Sequence, residues 1–259
     1  MIAELPGAKI WYEDTGGNGA PLVLLHARTG SSRSWQYQFR DFPAAGYRVV
    51  AYDRRGSGRT EVDAGAGDVL PSDDLHHFVE RLGLERFHLL GTAAGGIVAL
   101  DFALSHPRRV RSLVFANSVG SAEIKQEPAY IALAAHLRPP DDSPAEMREL
   151  SPAYRAKNPQ GTREWLEVER ASRAKGAPSF PRTRNRITFS LLEKLEAPTL
   201  LITGDADLYT PPSALELFHQ RIRNSALVVM PECAHSAYWE QPDLFNRVVL
   251  DFLSGGGAS

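Results

Sequence analysis

Six short apolar runs punctuate the chain, at Leu22-Val23-Leu24-Leu25, Arg48-Val49-Val50-Ala51-Tyr52, Phe87-His88-Leu89-Leu90, Leu113-Val114-Phe115-Ala116, Leu200-Leu201-Ile202-Thr203 and Leu227-Val228-Val229-Met230. Most are nearly continuous in apolar residues instead of alternating, which is the mark of a strand buried on both faces. Helical patterns lie between them. Ser72 is predicted to cap a helix that begins at Asp73-Asp74, with acids at the positive end of the helix dipole, and ends near Gly83. Ala94 to Ser105 reads as a small-residue helix stopped by His106-Pro107, and Asp243 to Leu253 as the last amphipathic helix. Ile10-Trp11-Tyr12 is a short β-prone run after a Pro6-Gly7 turn. Strands alternating with helices predict an α/β fold, a mostly parallel sheet flanked by helices on both faces.

The rhythm breaks between residues 121 and 188. This stretch holds no apolar strand run and is rich in Arg, Ala and Pro. Ser143-Pro144-Ala145-Glu146 has the form of a capping box with proline at the first helical position, and Gly161 to Ser172 reads as a further helix. Such a segment is either a helical cap inserted after the strand at Leu113 or a bundle of connecting helices. The small, Gly-rich end from Ser254 to Ser259 is expected to fray.

Composition narrows the function classes. A chain of 259 residues, 43% hydrophobic and 23% charged, suits one large globular domain or a core with an insertion. A formal net charge of -2 gives no electrostatic footprint for nucleic acid. The single cysteine, Cys233, rules out an intrachain disulfide and fits a reducing, cytoplasmic compartment. The opening residues lack a basic segment followed by an apolar run, so no signal peptide is expected. No apolar run approaches the roughly 18 residues of a membrane span. No His, Cys and acid spacing suggests a metal, and the Gly-rich turn at Gly91 lacks the Lys-Ser/Thr of a phosphate loop. The expected partner is a small molecule, with no cofactor, metal, membrane or nucleic acid.

The turn Gly91-Thr92-Ala93-Ala94-Gly95-Gly96 joins a predicted strand to a predicted helix. A Gly-x-Ser-x-Gly turn in that setting carries a nucleophilic serine. Here the serine position is Ala93, and a methyl group cannot attack a carbonyl. By itself the turn is a weak signal. Chain order strengthens it, because an acid loop, Gly204-Asp205-Ala206-Asp207, and a histidine loop, Pro231-Glu232-Cys233-Ala234-His235-Ser236, follow in sequence. Both lie at the carboxyl ends of buried runs, where open α/β sheets hold their sites.

With His26-Ala27-Arg28-Thr29-Gly30 and the loop Tyr52 to Arg59, these pieces make nearly the whole chain, apart from 121–188, resemble a capped α/β-hydrolase, similar to the group that holds enol-lactone hydrolases, C–C bond hydrolases and small esterases. The resemblance implies a core of residues 1–120 and 189–259 with a helical cap over 121–188. It further implies that Asp207 is the acid, His235 the base, and the backbone N–H groups of Arg28 and Ala94 the oxyanion hole. Two departures stand out. Ala93 occupies the nucleophile position, and Ala27-Arg28 replaces a loop in which the family often has glycine and an uncharged residue. Arg28 either forks a substrate carboxylate or points to solvent.

Rival assignments are weaker. Asp205 fits a turn better than an acid's place. Cys233 is expected to be a buried packing residue more often than a nucleophile. Ser118 is a pocket-lining candidate and a remote one for a displaced nucleophile. His88 reads as a satisfied core residue, and His76 and His77 as surface or half-buried positions. Tyr238 and Trp239, with Trp35, Phe39 and Trp165, are candidates for an aromatic substrate-binding wall, although such residues more often serve the core.

Three functions remain open for the alanine. The chain is a hydrolase of an ester, lactone or activated C–C bond that uses an Asp-His dyad and a backbone oxyanion hole without a serine. Alternatively it is a serine hydrolase whose nucleophile has been exchanged for alanine at 93. The third possibility is a non-catalytic small-molecule binding protein of the same fold.

Overall fold

The computed structural model describes residues 1–134, 137, 142–172 and 180–255. Its strands are β1 (Ile2–Leu5), β2 (Ala8–Asp14), β3 (Ala20–Leu25), β4 (Tyr47–Tyr52), β5 (Glu61–Val62), β6 (Phe87–Thr92), β7 (Val110–Ala116), β8 (Thr199–Gly204) and β9 (Ser225–Met230). The described helices are α1 (Gln36–Ala44), α2 (Pro71–Arg81), α3 (Ala94–Ser105), α4 (Pro128–Ala134), α5 (Ala145–Glu149), α6 (Pro152–Lys157), α7 (Pro159–Ser172), α8 (Phe189–Leu192), α9 (Pro212–His219), α10 (Ala237–Glu240) and α11 (Pro242–Leu253).

The strands form a single sheet in the order β1-β2-β4-β3-β6-β7-β8-β9, with β5 paired to β2. From β4 to β9 all neighbours run parallel, while β1 and β2 are antiparallel additions. The chain leaves β3 for β4 on one side and returns to β6 on the other. The order therefore reverses at β3 and β6, and a crevice opens beyond their carboxyl ends.

The continuous apolar runs are explained by two cores, one on each face. Val23 and Leu25 of β3 face one cluster with α2, α3 and α9, and Leu22 and Leu24 face the other with α1, α10 and α11. Likewise Leu113 and Phe115 of β7 face one side, and Val114 and Ala116 the other. Since successive side chains alternate between faces, a strand covered on both must be apolar at every position. Helix α3 packs centrally, and most of its residues are buried.

Two helix starts differ from the expectation. Ser72 is not a cap. Leu70 occupies that position, Pro71 is the first helical residue, and the Ser72 hydroxyl donates to Asp101 Oδ2 at 2.6 Å inside the core. The expected capping box at Ser143 does not form either, because Pro144 is the residue that precedes α5 and no side chain caps it. The described part of 121–188 contains helices α4 to α7 and no strand, as expected. Its tail end is tied down by Asp101 on α3, which accepts hydrogen bonds from the backbone of Arg184 and Asn185, both at 2.9 Å. Residues 256–259 of the expected frayed end lie outside the described residues.

Candidate active site

Close packing of glycines shapes the elbow. A Cβ on Gly91 would stand 2.4 Å from the Gly95 carbonyl oxygen, and one on Gly95 would stand 2.1 Å from that of Leu25. Only glycine lets β6, the start of α3 and the end of β3 approach this closely. Between them Ala93 adopts φ 49° and ψ -115°, a conformation that L-residues seldom hold. Its N–H donates to the Ala116 carbonyl at 3.0 Å, and its own carbonyl accepts from the Ser118 hydroxyl at 2.7 Å.

The loop after β3 lies against this turn. His26 is fully buried, and its Nε2 accepts the Arg54 N–H at 3.0 Å, which leaves Nδ1 to donate to the Ala27 carbonyl at 2.6 Å. Burial, reinforced by the Arg54 charge, holds this imidazole well below its usual pKa, so it is a neutral strut. Asp53, at the end of β4, accepts from the N–H groups of Ser32 and Arg59 at 2.7 and 2.8 Å. These bonds fix the backbone on which Arg28 stands. The Arg28 side chain itself is exposed at the pocket.

Asp207 and His235 meet across β8 and β9. His235 Nδ1 lies 2.9 Å from Asp207 Oδ2 and 3.1 Å from Oδ1. The carboxylate also accepts from the N–H groups of Tyr209 and Thr210, the Thr210 hydroxyl and Asn117 Nδ2. Burial alone would raise the Asp207 pKa, but the His235 charge and these donors hold it well below the usual carboxylate range. Burial would lower that of His235. The Asp207 charge and hydrogen bond, with Glu149 and Glu240 behind them, instead push it up to about 9. With Nδ1 engaged, Nε2 is the ring nitrogen available to the pocket.

Glu240 of α10 secures the histidine loop. Its Oε1 accepts the Ala234 N–H and its Oε2 the Ser151 N–H, both at 2.9 Å. The Ser151 hydroxyl donates to the Glu232 carbonyl at 2.8 Å. The residues just after α5 are thereby fastened to the loop that carries His235.

A cavity of about 230 Å³ opens between these parts. Ala93, Ala94, Arg28 and His235 all line it, together with Asn117, Lys125, Glu149, Phe180 and Tyr209. The sequence therefore located the elbow, the acid, the histidine and Arg28 at one place. It misplaced the aromatic wall. Trp35, Tyr238, Trp239 and Trp165 are almost fully buried in the core on the α1, α10 and α11 face, and none lines the cavity. The Trp35 and Tyr238 rings pack at 4.8 Å, and Trp239 Nε1 donates to the Gly161 carbonyl at 3.2 Å. Phe39 packs at the edge of that core. The pocket aromatics are Phe180 and Tyr209, and the Tyr209 ring lies 4.6 Å from that of His235. Ser118 is buried beneath the elbow and is not a lining residue.

The weaker candidates separate cleanly. Asp205 is exposed and outside the Asp207–His235 pair. Cys233 is buried in the core, and burial pushes its thiol pKa far up. His88 is half-buried and bonded to the Ser112 hydroxyl at 2.8 Å. His76 is half-buried and stacks on His106, while His77 is exposed. Among the described residues, no His, Cys and acid group could hold a metal, and no helix is long and apolar enough to cross a membrane.

Asn117, Glu149 and Glu240 were missed. Asn117 directly follows the run at Leu113 and so sits at a carboxyl end, which was a usable signal. Its φ of 47° turns its amide toward Asp207 and the Ala234 carbonyl. Glu149 lies in the segment without strand register, and no sequence signal marked it.

The sequence profile of the Alpha/beta hydrolase family matches residues 22–248. The chain belongs to this family. A 2-hydroxy-6-oxononadienedioate/2-hydroxy-6-oxononatrienedioate hydrolase of Burkholderia vietnamiensis is similar, with 32% identity over 95% of this chain and 91% of the relative. A putative carbamate hydrolase, RutD, of a Caulobacter species is 30% identical over 96% of this chain and 97% of its own length. A thermophilic esterase from Thermogutta terrifontis has a similar solved structure, with a TM-score of 0.75 at 25% identity, covering 98% and 97% of the two chains. Family and relatives together make this chain a hydrolase of the alpha/beta fold.

Proposed function

We propose that the enzyme hydrolyses an ester, lactone or activated C–C bond of a small molecule by direct attack of water, without an acyl-enzyme. His235 takes the proton of the attacking water through Nε2, and Asp207 orients the ring and balances the charge that forms. The N–H groups of Arg28 and Ala94 receive the oxyanion. Ala94 is the first residue of α3, so its N–H has no acceptor within the helix. The described residues of 121–188, which bring Lys125, Glu149 and Phe180 to the cavity, act as a cap over it. Arg28 at the cavity favours a substrate carboxylate, in keeping with the dicarboxylate named for the Burkholderia relative.

The observation that carries this reading is the coexistence of an oriented Asp207–His235 pair with a methyl group at the elbow. The pair supports general-base chemistry, and the methyl group at 93 leaves the elbow without a nucleophile. A panel of lactones, aryl esters and vinylogous diketones tests it. Steady turnover with no burst and no fluorophosphonate labelling is expected. A stoichiometric burst contradicts the reading, and tight binding without turnover of any member supports a binding protein instead.

A second reading draws on the Ala93 backbone, whose rare dihedrals suit a nucleophile elbow. With serine at 93 the same parts would make a serine hydrolase, and this chain is then its disabled form.

A further inference from the structure

Glu149, the last residue of α5, is a carboxyl group that lines the same cavity as His235 and is only 6% exposed. Its Oε2 has no hydrogen-bond partner. Leaving a buried polar atom unpaired is unfavourable, and a site that keeps one open commonly does so for a ligand or a proton. The position is not loose. Ser151, two residues on, is bonded through its N–H to Glu240 and through its hydroxyl to the Glu232 carbonyl, so the end of α5 is fixed over the histidine loop.

We propose that Glu149 is the general acid of this site, giving its proton to the departing oxygen of the substrate while His235 takes the proton of the attacking water. This rests on the hydrolytic reading above. The two groups line one cavity, so an acid and a base can both reach one reacting carbonyl there. Burial raises the Glu149 pKa, with the Asp207 charge adding to the effect and His235, Arg148 and Arg28 opposing it. The groups that face it are Arg148 on its own helix, Arg28 from the loop after β3, Asp207 and Tyr209 from the acid loop, His235, and Tyr238 of α10. In the form that carries its proton, the carboxyl can hand that proton to a leaving oxygen.

For an ester, the water oxygen bonds to the carbonyl carbon, and the carbonyl π pair moves onto oxygen. When the tetrahedral species collapses, the bond to the leaving oxygen breaks, its electron pair stays on that oxygen, and Glu149 protonates it. The proton held by His235 then returns to the Glu149 carboxylate. One ester and one water give one acid and one alcohol, and both side chains are restored.

The test compares two esters with the same acyl group, one of p-nitrophenol and one of an alkyl alcohol, with the natural enzyme and with Glu149→Gln. An alkoxide is a poor leaving group and needs the acid, whereas p-nitrophenolate does not. The alkyl ester kcat is expected to fall by about 100-fold or more, and the p-nitrophenyl ester kcat by less than about 5-fold, since its leaving group needs no proton. Equal losses on both esters, or no loss on either, overturn the acid role and leave the hydrolytic reading standing. Failure of the natural enzyme on both esters contradicts the hydrolytic reading and removes the acid role with it. A measurement on the natural enzyme alone guards against an unfolded variant. Across a series of esters that share one acyl group, its kcat should depend only weakly on the acidity of the leaving alcohol, because the leaving oxygen is protonated as it departs. A steep dependence in the natural enzyme overturns the proposal.

Discussion

The Ser118 hydroxyl holds the carbonyl of Ala93 at 2.7 Å, on a residue whose φ of 49° and ψ of -115° are uncommon outside glycine. Such backbone geometry costs on the order of 1–3 kcal/mol and persists only where the surroundings over-determine it. Here the surroundings are the Ala116 carbonyl, the Ser118 hydroxyl and three glycines that allow close approach. The alanine thus sits on a strained turn that its surroundings hold rigid.

Ala93→Ser should therefore need little rearrangement. The variant is expected to label with a fluorophosphonate and to show burst kinetics on p-nitrophenyl esters, while the natural enzyme does neither. Its melting temperature should stay close to that of the parent. An unlabelled, folded serine variant would mean that the oxyanion loop or His235 is out of line with residue 93.

Gly95→Ala probes the packing that makes the elbow. Its new methyl would press on the Leu25 carbonyl at 2.1 Å and on the His26 carbonyl at 2.8 Å, both backbone atoms that cannot rotate away. Overpacking of this kind typically costs about 1–3 kcal/mol. A lowered urea midpoint with an unchanged slope is the expected result, and an unchanged midpoint would show that α3 can move off β3.

Glu240→Gln removes one of two acceptor oxygens that hold the Ala234 and Ser151 N–H groups. The amide presents a donor to a donor. A loss of roughly 1–3 kcal/mol is expected from the buried unpaired group. The same change should lower kcat, because His235 follows Ala234 directly. Urea titration and steady-state rates on one preparation check both.

The Asp207–His235 pair sets opposite pH limits on stability. The folded pKa of His235 is pushed up to about 9, above its unfolded value. Its contribution is fully present below the unfolded pKa of about 6.5 and is lost as pH rises through about 9. The Asp207 pKa is depressed, so its contribution is present above the ordinary carboxylate pKa and fades as pH falls toward the lowered value. As a base, His235 must be neutral, so activity should rise with pH toward 9 even as the pair's stabilisation declines. Melting temperature and kcat/KM followed from pH 6 to 10 should move in opposite directions, and a rate profile flat over that range would exclude His235 as the base.

Much of the fold was written in the chain because β3, β4, β6, β7 and β8 are covered on both faces and admit few polar side chains. Leu22 to Leu25 is legible for that reason. The antiparallel pair β1 and β2 was barely legible, since only Ile10-Trp11-Tyr12 stood out at a half-exposed edge. Asp207, His235 and the elbow were readable because sites cluster at strand ends. Trp35, Tyr238 and Trp239 misled, because an aromatic residue near a catalytic loop can as easily turn into the core, and here helix α10 turns Tyr238 and Trp239 inward. Glu149 was out of reach, since its place depends on how α5 docks through Ser151 and Glu240, a contact between distant segments that no local pattern encodes.

In the proposed function His235 activates water directly at an elbow that carries no serine. The most direct measurement is the initial rate of lactone and aryl ester hydrolysis by the natural enzyme and by His235→Ala, both shown to be folded. A loss of about 100-fold or more in kcat/KM is expected, the usual weight of a general base. An unchanged rate in the alanine variant would contradict water activation by His235, because the hydrolysis would then owe nothing to the Asp207–His235 pair.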